Sequence, residues 1–201
     1  MKCINKPWSI PGCSDAAVTE LAEQQRLRLV SPRKWFRDAI EASTDPALLN
    51  YRLISQWLAE SIPDTRSLTL ALNNSLCFGL YRNGRQIGFA RVVTDMAETW
   101  VIRNLFISPE YRFIGLGSWL LHCCLSHPGA RGCRSIIAMG EPVPDFFERN
   151  GFISFTSLPG VYVTTLHEGG YDPICAKSAS RHLARAHANE RFSPVYYPTS
   201  D

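Results

Sequence analysis

The sequence lacks a long apolar run. Its apolar stretches fall short of the roughly 20 residues that a membrane-spanning helix needs, so we predict no transmembrane segment. The segment MKCINKPWSIPGCSD at the start is interrupted by Pro7 and Pro11 and has no continuous apolar stretch of the kind found in secretory signal peptides. These absences predict a cytoplasmic protein with no membrane partner.

A strong charge bias and metal-ligand spacings are also lacking. The chain has 21 Lys and Arg against 18 Asp and Glu, a net charge of +3, which is far from the clustered basic surface of a nucleic-acid-binding protein. Its seven cysteines form no C-x-x-C pair and its five histidines have no ligand spacing, so we expect no metal site. Cysteines inside apolar segments are expected to act as small hydrophobic residues.

Regular elements begin at residue 35. The segment WFRDAIEAS (35–43) predicts a strand, and DPALLNYRLISQWLAES (45–61) predicts a helix capped by Asp45 with Pro46 in its first turn. A second helix is predicted for TRSLTLALNN (65–74). One helix is expected in each flanking segment, in DAAVTELAEQQRLRL before the first strand and in SASRHLARAHANE near the end.

A three-stranded meander follows. In SLCFGLYRNGRQIGFARVVTD, the dipeptide Asn83-Gly84 lies between two β-prone runs and predicts a hairpin with a tight type I′ turn. TWVIRNLFIS (99–108) is the third strand, and a helix (115–126), the strand SIIAM, the helical turn PDFFERN and the strands GFISF and GVYVTTL follow. This order predicts a mixed α/β (α+β) fold and excludes a doubly wound nucleotide-binding fold.

The segment FISPEYRFIGLGSWLL joins the third strand to the next helix and contains R-x-x-G-x-G at Arg112, Gly115 and Gly117. Glycine lets the backbone turn tightly and direct successive N–H groups at a ligand, and a helix N-terminus favours an anion there. The loop suits a pyrophosphate, although a tight turn without a ligand has the same pattern. The dinucleotide fingerprint and the P-loop do not fit.

Taken together, the elements from Asp45 to Phe152, with this loop after FISPEYR and a later FFERNGF, resemble the GCN5-related N-acetyltransferases (the GNAT superfamily). NSLCFGLYRNGRQIGFARVVTD is similar to a bacterial and fungal branch that acts on small amines. The resemblance implies one domain (35–166) with a mostly antiparallel sheet flanked by helices and acetyl-CoA as co-substrate. An N-terminal extension (1–34) and a C-terminal tail (167–201) flank it.

The resemblance also implies where acetyl-CoA binds. The glycine loop would hold the pyrophosphate, and the backbone of the preceding strand would pair with the pantetheine arm. The implied cofactor-binding residues are Leu105, Phe106, Ile107, Arg112, Phe113, Ile114, Gly115, Leu116, Gly117 and Ser118.

Members of this superfamily transfer the acetyl group directly within a ternary complex, which implies a base, an oxyanion donor and an acid. Asn104 stands where relatives often have an acidic residue, and it is a candidate catalytic residue that can orient water but cannot act as a base. Glu98 is our candidate base among the carboxylates near strand ends. The other carboxylates considered are Asp95, Glu141 and Asp145. Phe147 stands where relatives have the tyrosine that acts as general acid. Tyr162, Tyr196 and Tyr197 are therefore the candidate acids.

Trp100, Arg103 and Phe147 are expected to line the acceptor cleft, although Trp100 also suits a core position and Arg103 a surface ion pair. The leading hypothesis is an acetyl-CoA-dependent N-acetyltransferase acting on a small-molecule amine. The sequence leaves open whether the protein forms a homodimer. The alternatives are a protein of this fold that has lost acetyl transfer and acts on or binds a small biosynthetic intermediate, and an interaction module.

Overall fold

One sheet organises the part of the chain that the computed structural model describes, which comprises residues 20, 31–133, 135–140, 145–154 and 160–165. Within these residues the strand order is β1-β2-β3-β4-β5-β6-β8-β7. The strands are β1 Lys34–Arg37, β2 Ile40–Ser43, β3 Leu76–Arg82, β4 Arg85–Thr94, β5 Trp100–Ile107, β6 Ser135–Met139, β7 Ile153–Ser154 and β8 Val161–Thr165. Every neighbouring pair is antiparallel except β5 and β6, which confirms the predicted fold class.

The first predicted strand is instead a hairpin. Residues 35–43 were expected to run as one strand, but the chain reverses at Asp38 and Ala39 and pairs β1 with β2. Asp38 has a φ of 53°, a left-handed conformation that aspartate tolerates better than most residues. The prediction of one continuous strand was wrong because an Asp-Ala turn lacks the glycine that usually marks a two-residue hairpin turn.

Four α-helices accompany the sheet in the described residues: α1 Tyr51–Trp57, α2 Thr65–Asn73, α3 Leu116–Ser126 and α4 Phe146–Arg149. The single helix expected from Asp45 divides in two. Asp45 caps only a 3₁₀ turn, Pro46–Leu48, and Asn50 then caps α1 by accepting a hydrogen bond from the Leu53 N–H at 3.0 Å. The Asn50 N–H donates to Gln86 Oε1 on β4 at 2.8 Å, which ties this break to the sheet. No helix in the described part of the chain is long and apolar enough to cross a membrane.

The Asn83-Gly84 hairpin is confirmed. Both residues have positive φ, 50° and 75°, as a type I′ turn requires. β3 and β4 pair from Leu76↔Val92 to Arg82↔Arg85. Of the helices predicted for the flanking segments, only Glu20 lies within the described residues, and it is helical.

The two faces of the sheet carry separate cores, since successive strand residues point to opposite faces. On one face α1 and α2 cover a smaller cluster: Ile54, Leu58, Leu68, Leu72, Cys77 and Phe89. On the other face α3 and α4 cover the larger core, which includes Phe78, Trp100 and Ile102. The four cysteines of the described residues, Cys77, Cys123, Cys124 and Cys133, are free and buried, as expected of small hydrophobic residues.

His127 is enclosed in the larger core. It is completely buried, stacks on Trp100 with ring centroids 5.6 Å apart, and meets the edge of Phe78. Its Nδ1 accepts a hydrogen bond from the Gly129 N–H at 3.1 Å, which leaves the proton of the neutral ring on Nε2. Burial, aided by the Arg33 charge, lowers the pKa of His127 to about 4.

We predict that this histidine makes the protein sensitive to acid. His127 protonates near pH 6.5 in the unfolded chain and only near pH 4 in the native state. The contribution of neutral His127 to the free energy of unfolding is therefore fully present above pH 6.5. The free energy of unfolding falls by about 3 kcal/mol as the pH drops from 6.5 to 4. Urea unfolding followed by tryptophan fluorescence at intervals between pH 7.5 and 4 measures the loss. His127→Phe should flatten this part of the profile, and an equally steep profile would contradict the assignment.

Candidate active site

The sheet forks between β5 and β6. These strands pair in parallel from Trp100↔Ile136 to Arg103↔Met139. Beyond Arg103, β5 continues to Ile107, and no described residue of β6 pairs with this last part. A strand edge with unpaired N–H and C=O groups can accept an extended ligand as an added strand.

A β-bulge at Asn104 and Leu105 marks the start of the fork. β4 pairs Arg91 with Arg103 and Phe89 with Phe106, so both bulge residues stand opposite Ala90 alone. Asn104 has a φ of 52°, in the left-handed region that asparagine tolerates. Bulges of this kind redirect the backbone and are frequent next to active sites.

The side chain of Asn104 is held by two partners. Its Oδ1 accepts a hydrogen bond from Arg91 Nε at 3.1 Å, and its Nδ2 donates to Ser61 Oγ at 3.4 Å. The predicted catalytic residue Asn104 therefore lies at the fork, where its amide links the sheet to the segment after α1.

The glycine loop begins where β5 ends. After the 3₁₀ turn Pro109–Tyr111, Phe113 and Gly115 both have positive φ, 64° and 82°. The first backbone N–H to bond again is that of Trp119, to the Gly115 carbonyl. In the described part of the chain, no hydrogen bond uses the backbone N–H groups of residues 113–118. These free N–H groups surround the N-terminus of α3, so the loop is suited to an anion.

Two arginines border the loop. Arg112 Nε donates to the Ile107 carbonyl at 2.8 Å, and the guanidinium lies 5.2 Å from the centroid of Phe106. Arg37 Nη1 lies 3.5 Å from the Gly115 carbonyl. No local pattern in the sequence indicates Arg37, because only the tertiary fold brings β1 close to a loop so distant along the chain.

Gly117 also has a packing role. A Cβ at this position would lie 3.2 Å from the Phe146 ring and 3.8 Å from the Ile107 side chain. The missing side chain lets α4 approach the start of α3. Of the remaining predicted loop residues, Ile114 is exposed and Leu116 is buried, while Ser118 is partly buried in the first turn of α3.

Phe147 lies in a cluster of aromatic rings on the α3 and α4 face. Its ring stacks on Tyr162 with centroids 4.5 Å apart and meets Phe146 and Phe152 edge-on. Burial, with a smaller contribution from Glu148, raises the pKa of the Tyr162 phenol. Of the three candidate acids, Tyr162 contacts Phe147, the position at which relatives have the acid. Tyr196 and Tyr197 lie outside the described residues.

Two predicted site residues lie away from the fork. Trp100 is 1% exposed and stacks on His127, so the expectation that it lines the acceptor cleft is corrected to a core role. Glu98 is exposed in the turn before β5, at the opposite end of this strand from Ile107. The structure therefore does not bring Glu98 together with Asn104 and the glycine loop.

The other carboxylates considered as the base are Asp95, Asp145 and Glu141. Asp95 Oδ1 accepts the N–H groups of Ala97, Glu98 and Thr99, and these bonds, that of Thr99 most strongly, lower the Asp95 pKa to about 2. Asp145 is exposed at the start of α4 with a φ of 57°. Glu141 lies outside the described residues.

Arg103 lies on the α1 and α2 face, opposite Arg91 on the neighbouring strand. Arg91 was missed by sequence reasoning, since an arginine in the middle of a predicted strand gives no local sign of burial.

Comparisons with known proteins identify the family of this chain. The family model described as Acetyltransferase (GNAT) domain matches residues 73–154. FG08082 of Gibberella zeae, a candidate acetyltransferase, is 32% identical over 120 residues, which cover 47% of this chain and 67% of that protein. A crystal structure of a candidate GNAT acetyltransferase from Xanthomonas campestris is 30% identical with a TM-score of 0.55, covering 59% of this chain and 89% of that chain.

The chain belongs to the GNAT acetyltransferase family. A similar fold is found in a more distantly related structure. N-acetylglutamate synthase from Neisseria gonorrhoeae, crystallised with coenzyme A and N-acetyl-glutamate, matches with a TM-score of 0.53 at 18% identity. That match covers 66% of this GNAT chain and 36% of the synthase, and it shows a common fold.

We predict that the left-handed conformation at the bulge requires asparagine or glycine. Asn104→Ala and Asn104→Gly both lose the bonds to Arg91 and Ser61, but only alanine adds the backbone strain of about 1 kcal/mol. Urea unfolding should therefore show Asn104→Gly as the more stable variant. Val101, in an extended part of β5, is the matched control, and Val101→Ala should be more stable than Val101→Gly. The same order at both positions would contradict the bulge geometry.

Proposed function

We propose that this GNAT protein transfers the acetyl group of acetyl-CoA to the amine of a small molecule by direct transfer in a ternary complex. The observation that carries the proposal is the run of backbone N–H groups at residues 113–118 that have no hydrogen-bond partner among the described residues. They lie at the N-terminus of α3 and beside the edge of β5 that no described strand pairs. We propose a domain of residues 34–166, one residue earlier than the predicted start at 35 because β1 begins at Lys34, with segments 1–33 and 167–201 outside it.

The chemistry of these groups suits coenzyme A. The loop from Arg112 to Ser118 would hold the pyrophosphate by its N–H groups and the dipole of α3, with Arg37 and Arg112 adding positive charge. The backbone of β5 from Leu105 to Ile107 would pair with the amide groups of the pantetheine arm. The Ile107 carbonyl already accepts from Arg112, which leaves the N–H and C=O groups nearer the bulge for this pairing.

The reaction requires one nucleophile and one leaving group. The amine lone pair attacks the thioester carbonyl, the C–N bond forms, the C–S bond breaks, and the nitrogen loses a proton while the sulfur gains one. The backbone N–H groups at the bulge are suited to hold the oxyanion, since they need no side chain and the bulge turns them out of the ladder. Asn104 orients this backbone through its bonds to Arg91 and Ser61.

Tyr162 is the residue we infer to protonate the thiolate. Its ring stacks on Phe147, the residue that stands where relatives carry the acidic tyrosine, so a phenol is retained in this region on a different strand. The Tyr162 phenol is protonated at neutral pH, as a general acid requires, and the burial that raises its pKa makes it a weaker acid than a solvent-exposed phenol. Phe147 itself supports the alternative function, a GNAT fold without acetyl transfer, and the experiments below separate the two.

We predict that a negative charge in the glycine loop prevents acetyl-CoA binding. Gly115→Asp should raise the Kd for acetyl-CoA at least thirtyfold by calorimetry, because the carboxylate repels the pyrophosphate and caps the N–H groups of α3. Gly84→Asp is the matched control, since it also has positive φ and open space but lies in the distant hairpin turn. Aspartate tolerates this backbone at both positions.

The control should keep the wild-type Kd within a factor of two. No binding of acetyl-CoA to the wild-type protein up to millimolar concentration would overturn the proposed function. Equal affinity of wild type and Gly115→Asp would show that the loop does not hold the pyrophosphate.

We predict that Tyr162→Phe lowers kcat ten- to a hundredfold without changing the Kd for acetyl-CoA, because only the proton transfer is lost. Thiol release in the presence of an accepted amine measures kcat. Tyr81→Phe, which alters another buried tyrosine, on β3, should leave kcat unchanged. The double variant Phe147→Tyr with Tyr162→Phe exchanges the two stacked rings and should recover activity. A Tyr162→Phe variant with wild-type kcat would exclude this phenol as the acid.

A further inference from the structure

We propose that the amine acceptor also carries an anionic group, a carboxylate or a phosphate, bound by Arg91 and Arg103 on the α1 and α2 face. The proposal rests on the proposed function, since it names the class of acceptor used by the same site. It favours amino acids and phosphorylated amines and excludes polyamines, whose positive charge the arginines would repel.

The two arginines lie side by side on one face of the sheet. Cys77, Arg91 and Arg103 are paired across β3, β4 and β5, and directly opposite residues of neighbouring strands point to the same face. Arg91 is 9% exposed, and Arg103 is partly buried. Two like charges across a strand pair are destabilising unless an anion lies between or beside them.

The described residues supply no such anion. Arg91 donates to two neutral oxygens, Asn104 Oδ1 at 3.1 Å and Ser75 Oγ at 3.0 Å. The Nε of Arg103 is buried and has no hydrogen-bond partner among the described residues. The ion pairs found among the described residues join Lys34 to Glu41 and Arg85 to Glu110, and neither includes Arg91 or Arg103.

The electrostatics of the pair support an external anion. Burial and the Arg103 charge lower the pKa of Arg91, and burial raises the pKa of the neighbouring Cys77 thiol to about 12, so this thiol stays neutral. A buried, uncompensated guanidinium costs free energy. Binding a carboxylate or phosphate through paired N–H donors would recover that cost, because guanidinium geometry matches both anions.

The position of the pair directs the amine toward the fork. Arg103 is the last residue of β5 that pairs with β6, and the bulge begins at the next residue. Asn104 joins Arg91 to this bulge, and Ser61 lies on the other side of Asn104. If the two arginines bind the anion of a small acceptor, its amine therefore lies close to the backbone that would hold the thioester.

The test compares matched amines. Purified protein with acetyl-CoA is assayed for thiol release with amino acids and their amides, with phosphoethanolamine and ethanolamine, and with putrescine. We expect kcat/KM for an anionic amine to exceed that of its neutral counterpart at least a hundredfold. The carboxylate and phosphate series distinguish the two sources of the anion.

Variants assign that preference to the arginines. Arg103→Gln should reduce it below tenfold, mainly through KM, with Arg103→Lys intermediate and the Kd for acetyl-CoA unchanged. Arg85→Gln, on the same strand as Arg91 but exposed beside the hairpin turn, should retain the full preference. A preference for neutral or cationic amines, or one that persists in Arg103→Gln, would overturn the proposal while leaving acetyl-CoA binding intact.

A second measurement needs no acetylation. With the glycine loop saturated by coenzyme A, inorganic phosphate and acetate are titrated at constant ionic strength, and thermal unfolding is followed. We expect at least one of the two anions to raise the Tm of wild type and of Arg85→Gln but not of Arg103→Gln. If no amine in the panel reacts and no such Arg103-dependent rise is seen, the proposal is overturned. Failure of coenzyme A to bind at all would instead overturn the proposed function.

Discussion

The left-handed backbone at Asn104 is the constraint on which the site depends. Because this residue stands in a bulge, β5 leaves β6 after Arg103 while it remains paired with β4 up to Ile107. Among the described residues, one strand thereby has an edge paired with β4 and an edge toward the fork that no described strand pairs after Arg103. The glycine loop follows directly from the end of β5, so its unpaired N–H groups lie next to this strand edge along the chain.

The two faces of the sheet differ in how they hold ionisable groups. On the α3 and α4 face, burial keeps ionisable groups neutral, as the lowered pKa of His127 and the raised pKa of Tyr162 show. On the α1 and α2 face, Arg91 and Arg103 are too basic to be neutralised in this way, and the protein leaves their charges without a carboxylate among the described residues. The bulge lies between these two environments. An uncharged leaving group would therefore suit the α3 and α4 face, and an anionic acceptor would suit the α1 and α2 face.

Local signals in the sequence predicted much of the fold. Asn83-Gly84, the glycine before α3 and the alternation of β-prone runs depend on neighbouring residues alone, and the structure follows them. The turn at Asp38 and the helix break at Asn50 were missed because each depends on a tertiary partner, the strand β3 in one case and Gln86 in the other. The glycine loop and Asn104 could be selected from the sequence; their partners Arg37 and Arg91 could not, since strand register alone brings them there.

The contact between Phe147 and Tyr162 shows why a missing motif residue is weak evidence against an activity. A proton donor is defined by where its hydroxyl lies, and two stacked rings can exchange that hydroxyl with little change in volume. The helix that carries Phe147 and the strand that carries Tyr162 both pack in the same core, so either could present a phenol to this region. A search for the family tyrosine along the helix alone would miss the acid proposed above, because its hydroxyl is on another element.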